Sequence, residues 1–193
     1  MTLEADFALS SASDGKYNGK DVVFDYSGDD DMWVFVDDVL VLDVGGIHEP
    51  AAGRINFTTG EVFVEDEQLT SDYEIVHSDF APQADADGNI KMKKTTISQM
   101  FADAGMTWER DKEHTIKVFY VERGGNYSNL AMEFNLPIVK PIQVEKHVDS
   151  ESALFDNTEF EMELWISDVE NPGQYKLYSG KMKRGNEIEE ITD

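Results

Sequence analysis

The chain of 193 residues sets sixteen Lys and Arg against forty Asp and Glu, a formal net charge of −24 at pH 7, and is 40% hydrophobic. Such acidity repels phosphate backbones and anionic lipid surfaces, which excludes nucleic acid as an expected partner, while the apolar content is enough for a folded core. With no cysteine there is neither a disulfide nor a thiolate metal site, and no stretch approaches the ~20 apolar residues that cross a bilayer.

Met1 to Phe7 has neither the basic lead nor the apolar run of a secretory leader, and the chain reads as a fragment of a longer protein. Residues 3 to 8 and 22 to 26 alternate apolar and polar, with Val22, Phe24 and Tyr26 on one face, the period of half-buried strands. Ser27-Gly28-Asp29-Asp30-Asp31 then leads into Met32 to Val36, which is apolar on both faces and predicts a central strand. Asp37-Asp38 turns the chain into a return strand, Val39 to Leu42. Both positions of such a turn want positive φ, so Asp38 stands slightly strained where glycine is usual. After Gly45-Gly46-Ile47-His48-Glu49-Pro50 a second hairpin follows, Arg54 to Phe57 and Glu61 to Val64, around Thr58-Thr59-Gly60.

Residues 65 to 94 are polar and read as an irregular excursion. Within them Asp85, Asp87 and Asn89 imitate the opening of an EF-hand loop, but Gly88 comes too early and Thr96 stands where the closing Glu belongs, so a surface turn is expected instead. Thr95 and Thr96 offer a hydroxyl cap to a short helix that carries Ile97, Met100, Phe101 and Ala104 on one face and stops at Gly105. His114 to Glu122 and Leu130 to Leu136 are further strands, joined by a loop, Arg123 to Asn129. Pro137 and Pro141 mark a linker, after which Ile142 to Lys146, Phe160 to Ile166 and Tyr175 to Tyr178 open a second β domain that is too short for a complete core.

Four blocks in order, Phe24-x-Tyr-Ser-Gly-Asp-Asp-Asp-x-Trp-Val-Phe-Val-Asp, Leu42-Asp43-x-Gly-Gly-Ile-His, His114-Thr-x-x-x-Phe-Tyr-x-Glu-Arg and Ser128-Asn129, resemble the fibro-slime domain of bacterial surface adhesins. That family is similar to the protective-antigen-type lectin domains, and the resemblance covers roughly residues 5 to 138. It implies a calcium site at Asp29 and Asp30, completed by Asn126 and Asn129. It implies a ligand rim of Asp31, Asp43, His48, Tyr127 and Ser128 where glycan hydroxyls meet the ion. The residues allow this independently: calcium takes about six to eight oxygens, and the amides and the backbone freed by Gly124-Gly125 offer neutral ones. Without the four blocks a solvated acidic turn is the favoured reading of Gly28-Asp29-Asp30; with them the metal site is.

The expected fold is therefore an all-β antiparallel β-sandwich with one short helix over 1 to 138, a linker at 139 to 141, and a partial immunoglobulin-like β domain over 142 to 193. That last segment resembles a pilin or collagen-adhesin B-type stalk, with Lys146 where some stalks carry an isopeptide lysine and Asn186 as the only late candidate for its partner, while a solvated lysine is the favoured reading. The expected function is a calcium-dependent, carbohydrate-binding adhesin module at a bacterial cell surface, extracellular, with cell-surface glycans as partners. The alternative is a calcium-rigidified structural module that binds no glycan. No catalysis is expected, because neighbouring carboxylates share one side of a site, whereas glycoside hydrolysis needs two acids about 5 to 9.5 Å apart across the substrate.

Overall fold

A computed structural model describes residues 1–29, 31–46, 50–65, 73–77, 85–121, 130–139, 143–145, 159–167 and 175–183. The chain divides into two compact units, one of Glu4–Ile142 and one of Met1–Leu3 with Gln143–Asp193. The strands are β1 (Thr2–Ala8), β2 (Val23–Gly28), β3 (Asp31–Val36), β4 (Val39–Val44), β5 (Ala51–Asn56), β6 (Glu61–Glu65), β7 (Glu74–His77), β8 (Asn89–Thr96), β9 (Glu113–Val121), β10 (Leu130–Phe134), β11 (Gln143–Glu145), β12 (Glu159–Ser167) and β13 (Tyr175–Lys183). A single described α-helix, α1 (Ile97–Asp103), lies between β8 and β9.

In the unit of Glu4–Ile142 one sheet runs β1-β9-β3-β4 and a second runs β10-β2-β5-β6-β8-β7. The two form a sandwich-like arrangement, so the expected all-β architecture with one short helix is the observed one. In the second unit β12 and β13 pair as a long antiparallel hairpin, Glu159 opposite Lys183 and Ser167 opposite Tyr175. Among the described residues no helix is long and apolar enough to cross a membrane.

Period-2 alternation builds the core. Phe7, Phe24, Tyr26, Met32, Val34, Leu42, Ile55, Val62, Ile116 and Val118 are fully buried, and each large side chain so removed from water contributes about 1.5 to 3 kcal/mol. Gly53 marks a close approach of the two layers, since a Cβ there would come within 3.0 Å of Leu42. α1 begins as its sequence dictates, the Thr96 hydroxyl accepting from Gln99 N at 3.2 Å. It ends at Gly105, whose φ of +73° only glycine adopts without strain.

One expectation holds and one needs correction. β3 is central, between β9 and β4, but it is buried on one face only: Met32, Val34 and Val36 point inward while Trp33 and Phe35 are half-buried on the outside. The excursion at 65 to 94 is in part regular, since β8 pairs with β6 and β7 with β8. Its lysines disguised the alternation: Ile90 and Met92 are buried with Ala52 and Phe63 in a second apolar cluster, while Lys91 and Lys93 face water. The surface turn before β8 is an Asx turn, Asp85 Oδ1 accepting from Asp87 N and Asn89 N at 2.9 Å each.

Candidate functional site

Consecutive strands β2 and β3 lie in different sheets, so the acidic segment between them is a crossover from one layer to the other. The registers set two more beside it. Gly28 at the end of β2 pairs with Leu130 of β10 on one side and Ala51 of β5 on the other. Asp31 at the start of β3 pairs with Val121 of β9, and Met32 pairs with Val44 of β4. The connections β2 to β3, β4 to β5 and β9 to β10 therefore leave and enter the two sheets at one rim. These three segments carry most of the residues proposed for the site.

At this rim Asp31 is 4% exposed, and its Oδ1 accepts from Gly46 N at 2.7 Å. Asp43 is exposed and its Oδ1 accepts from Gly45 N at 3.1 Å, so two carboxylates tie down the diglycine. The glycines are required: Gly46 sits at φ +117°, and a Cβ on Gly45 would come within 2.9 Å of the Trp33 indole. Asp29 is half-buried in the crossover itself. Asp30, His48, Asn126, Tyr127, Ser128 and Asn129 lie outside the described residues, as do Glu122, Arg123, Lys146 and Asn186. Among the described residues no three acidic or histidine side chains gather as a metal cluster. Asp29, Asp31 and Asp43 by themselves thus fall short of a calcium shell, which takes about six to eight oxygens.

The other end of β3 holds a constellation that the sequence reading passed over. Asp37 and Asp38 form the turn to β4 with φ of +49° and +64°, the all-positive geometry of a type I′ hairpin. Tertiary partners explain why two aspartates stand there instead of Asn-Gly. Asp37 Oδ1 accepts from Thr115 N at 2.9 Å, its Oδ2 lies 2.6 Å from His114 Nδ1, and Asp38 Oδ1 accepts from Lys117 Nζ at 2.8 Å. His114 is 3% exposed and its ring stacks on Trp108 at 4.3 Å. Its Nε2 lies 2.8 Å from Glu109 O. That carbonyl only accepts, so Nε2 is the donor to it, while Nδ1 pairs with the Asp37 carboxylate. Both ring nitrogens are thereby engaged inside the protein, and neither faces a substrate. The signal in the sequence was the pair of aspartates in a two-residue turn.

Fold and rim define a class: an antiparallel two-sheet β-sandwich whose carboxylate-lined end gathers three inter-sheet connections. Comparison with known proteins places short stretches of the chain beside proteins of Dictyostelium discoideum. It is similar to Protein psiI, 47% identical over 53 residues, 28% of this chain and 7% of the relative. It is similar to Protein psiB, 49% identical over 43 residues, 22% of this chain and 8% of the relative. It is also similar to Protein psiD, 61% identical over 33 residues, 17% of this chain and 6% of the relative. The chain thus spans less than a tenth of the length of these relatives. No family model matches the chain, and no solved structure matches it at a significant level.

These findings overturn the resemblance to bacterial fibro-slime adhesins and, with it, the adhesin stalk. Calcium-dependent carbohydrate binding by a lectin-like adhesin, glycan partners and a bacterial cell-surface location lose their support as well. The physical reason is visible in the structure. An acidic lead into an apolar strand and a diglycine after the next specify local crossovers and a close indole contact. Such blocks encode backbone geometry, which neither an organism nor a ligand determines.

Proposed function

We propose that this chain acts as a non-catalytic β-sandwich module whose inter-sheet rim takes up calcium. Asp29, Asp30, Asn126 and Asn129 are the protein ligands, and Asp31 and Asp43 hold the adjoining Gly45-Gly46 segment against the rim. The observation that carries the reading is the register, which brings three inter-sheet connections rich in oxygen donors to one end of the sandwich. A cation there offsets the repulsion of crowded carboxylates and restrains three crossovers at once. The non-catalytic assignment draws support from His114 and Asp37, whose pairing resembles a catalytic dyad but is consumed by internal hydrogen bonds.

A second reading rests on the hydrogen bonds themselves: Asp31 and Asp43 pin the diglycine without any ion. Isothermal calorimetry of the chain with calcium separates the two. Saturable binding that is lost in Asp29→Ala and Asp30→Ala, while far-UV circular dichroism is unchanged, supports the calcium site. Absence of binding, or full calcium affinity in both variants, leaves only the pinning role.

A further inference from the structure

The outer face of the β1-β9-β3-β4 layer is apolar at its centre. Alternation sends Ile116, Val118 and Tyr120 of β9 and Met32, Val34 and Val36 of β3 inward, which leaves Phe119, Val121, Trp33 and Phe35 on the opposite face. Register gathers them: Trp33 stands opposite Phe119, Phe35 stands opposite Leu40 of β4, and the rings of Phe35 and Phe119 meet edge to face at 5.6 Å. Leu40, Phe119 and Val121 remain 38%, 37% and 46% exposed. A contiguous cluster of this kind on a sheet face differs from single scattered apolar residues, which soluble proteins carry everywhere.

Charge identifies the occupant. Among the described residues Glu4, Asp6 and Asp43 share this face with one base, Lys117, which is hydrogen-bonded to Asp38 and lies in the field of Glu4. With a net charge of −24, a second copy of the chain or an anionic lipid surface is repelled. We propose that this face docks an extended cationic polypeptide segment in which apolar and basic residues alternate. The apolar side chains cover Phe119, Val121 and Leu40, and the basic ones reach the flanking carboxylates. Electrostatic complementarity supplies orientation and encounter rate, and the aromatic centre supplies burial.

The test titrates three synthetic octapeptides, of alternating Lys-Val, Glu-Val and Lys-Ser, into the full chain by calorimetry. Lys-Val is expected to bind, with Kd weakened about tenfold or more in Phe119→Ser and, separately, in Val121→Ser. Affinity is expected to be unchanged in Ile75→Ser, which alters an exposed residue of β7 in the other sheet. Should Phe119→Ser fail to fold by circular dichroism, Val121→Ser decides, because that side chain is already half exposed. Equal affinity for Lys-Val and Lys-Ser, equal affinity for Lys-Val and Glu-Val, no binding of Lys-Val, or insensitivity to the Val121 change overturns the proposal.

Discussion

Adjacent aspartates stand at both ends of β3, and the structure uses them in opposite ways. At the exit, Asp37 and Asp38 meet the His114 ring, Thr115 N and the Lys117 ammonium, so the protein supplies its own compensating donors and charge. At the entry, roughly 20 Å away along the strand, Asp31 and Asp43 meet the peptide N–H groups of Gly46 and Gly45. The exit turn is thus tied by a lysine and a histidine, whereas these bonds of the two entry carboxylates anchor backbone. A carboxylate pair in a sequence is therefore a question about partners, and the partners are set by which strand end it occupies.

The largest expected effect breaks the exit clasp. His114→Phe keeps a ring against Phe7 and Trp108 but removes both ring nitrogens, leaving Asp37 Oδ2 and Glu109 O without their partner. Stability in urea denaturation should fall by about 3 kcal/mol, and a loss below about 1 kcal/mol would show that the polar contacts contribute little beyond ring packing. Next comes the ion. At about 100 times its Kd, calcium should stabilise the chain by about 2.7 kcal/mol through mass action. That increment should vanish in Asp29→Ala and persist in Asp38→Asn. Equal calcium responses in the two variants would erase the distinction between the strand ends.

Gly45→Ala probes the entry without touching a charge. The added methyl meets the Trp33 indole at 2.9 Å, and displacing it should cost about 1 to 3 kcal/mol. An alanine variant as stable as the parent would mean that the rim yields freely. The smallest effect is electrostatic. The hydrogen bond to Asp38, followed by that carboxylate's charge, holds Lys117 above the usual lysine range. A raised folded-state value contributes stability that is present below the unfolded lysine's pKa of about 10.4 and is lost as pH rises through the folded value. The difference in thermal stability between parent and Lys117→Met should accordingly be level from neutral to mildly alkaline pH and shrink above about pH 10.4. A difference that grows with alkalinity would contradict the pairing.

Much of the local structure was legible in the sequence because short-range chemistry decides it. Period-2 alternation around Phe24 and Val34 marked strands, the Thr96 hydroxyl and Gly105 bounded α1, and Asp37-Asp38 announced a tight turn that the positive φ values bear out. The candidate rim was legible only as a list of oxygen donors. Asp31 and Asp43 do border one rim, yet their bonds to Gly46 and Gly45 could not be read from spacing, and His114 looked like the polar start of a strand. Conversely, β8 was hidden, because the lysines beside Ile90 and Met92 make a charged outer face resemble a loop.

The sequence by itself thus determined an all-β chain with one short helix and an acidic, repelling surface, since periodicity, capping and net charge are properties of neighbours and of sums. Only the tertiary structure decided that β2 and β3 separate into different sheets, that three crossovers meet at one rim, and that His114 closes the opposite end. Alternation reveals which face of a strand is buried but carries no information on which strand lies beside it. That choice is made by contacts between residues as distant in sequence as Asp37 and His114, whose closure is rewarded only when the whole sandwich forms.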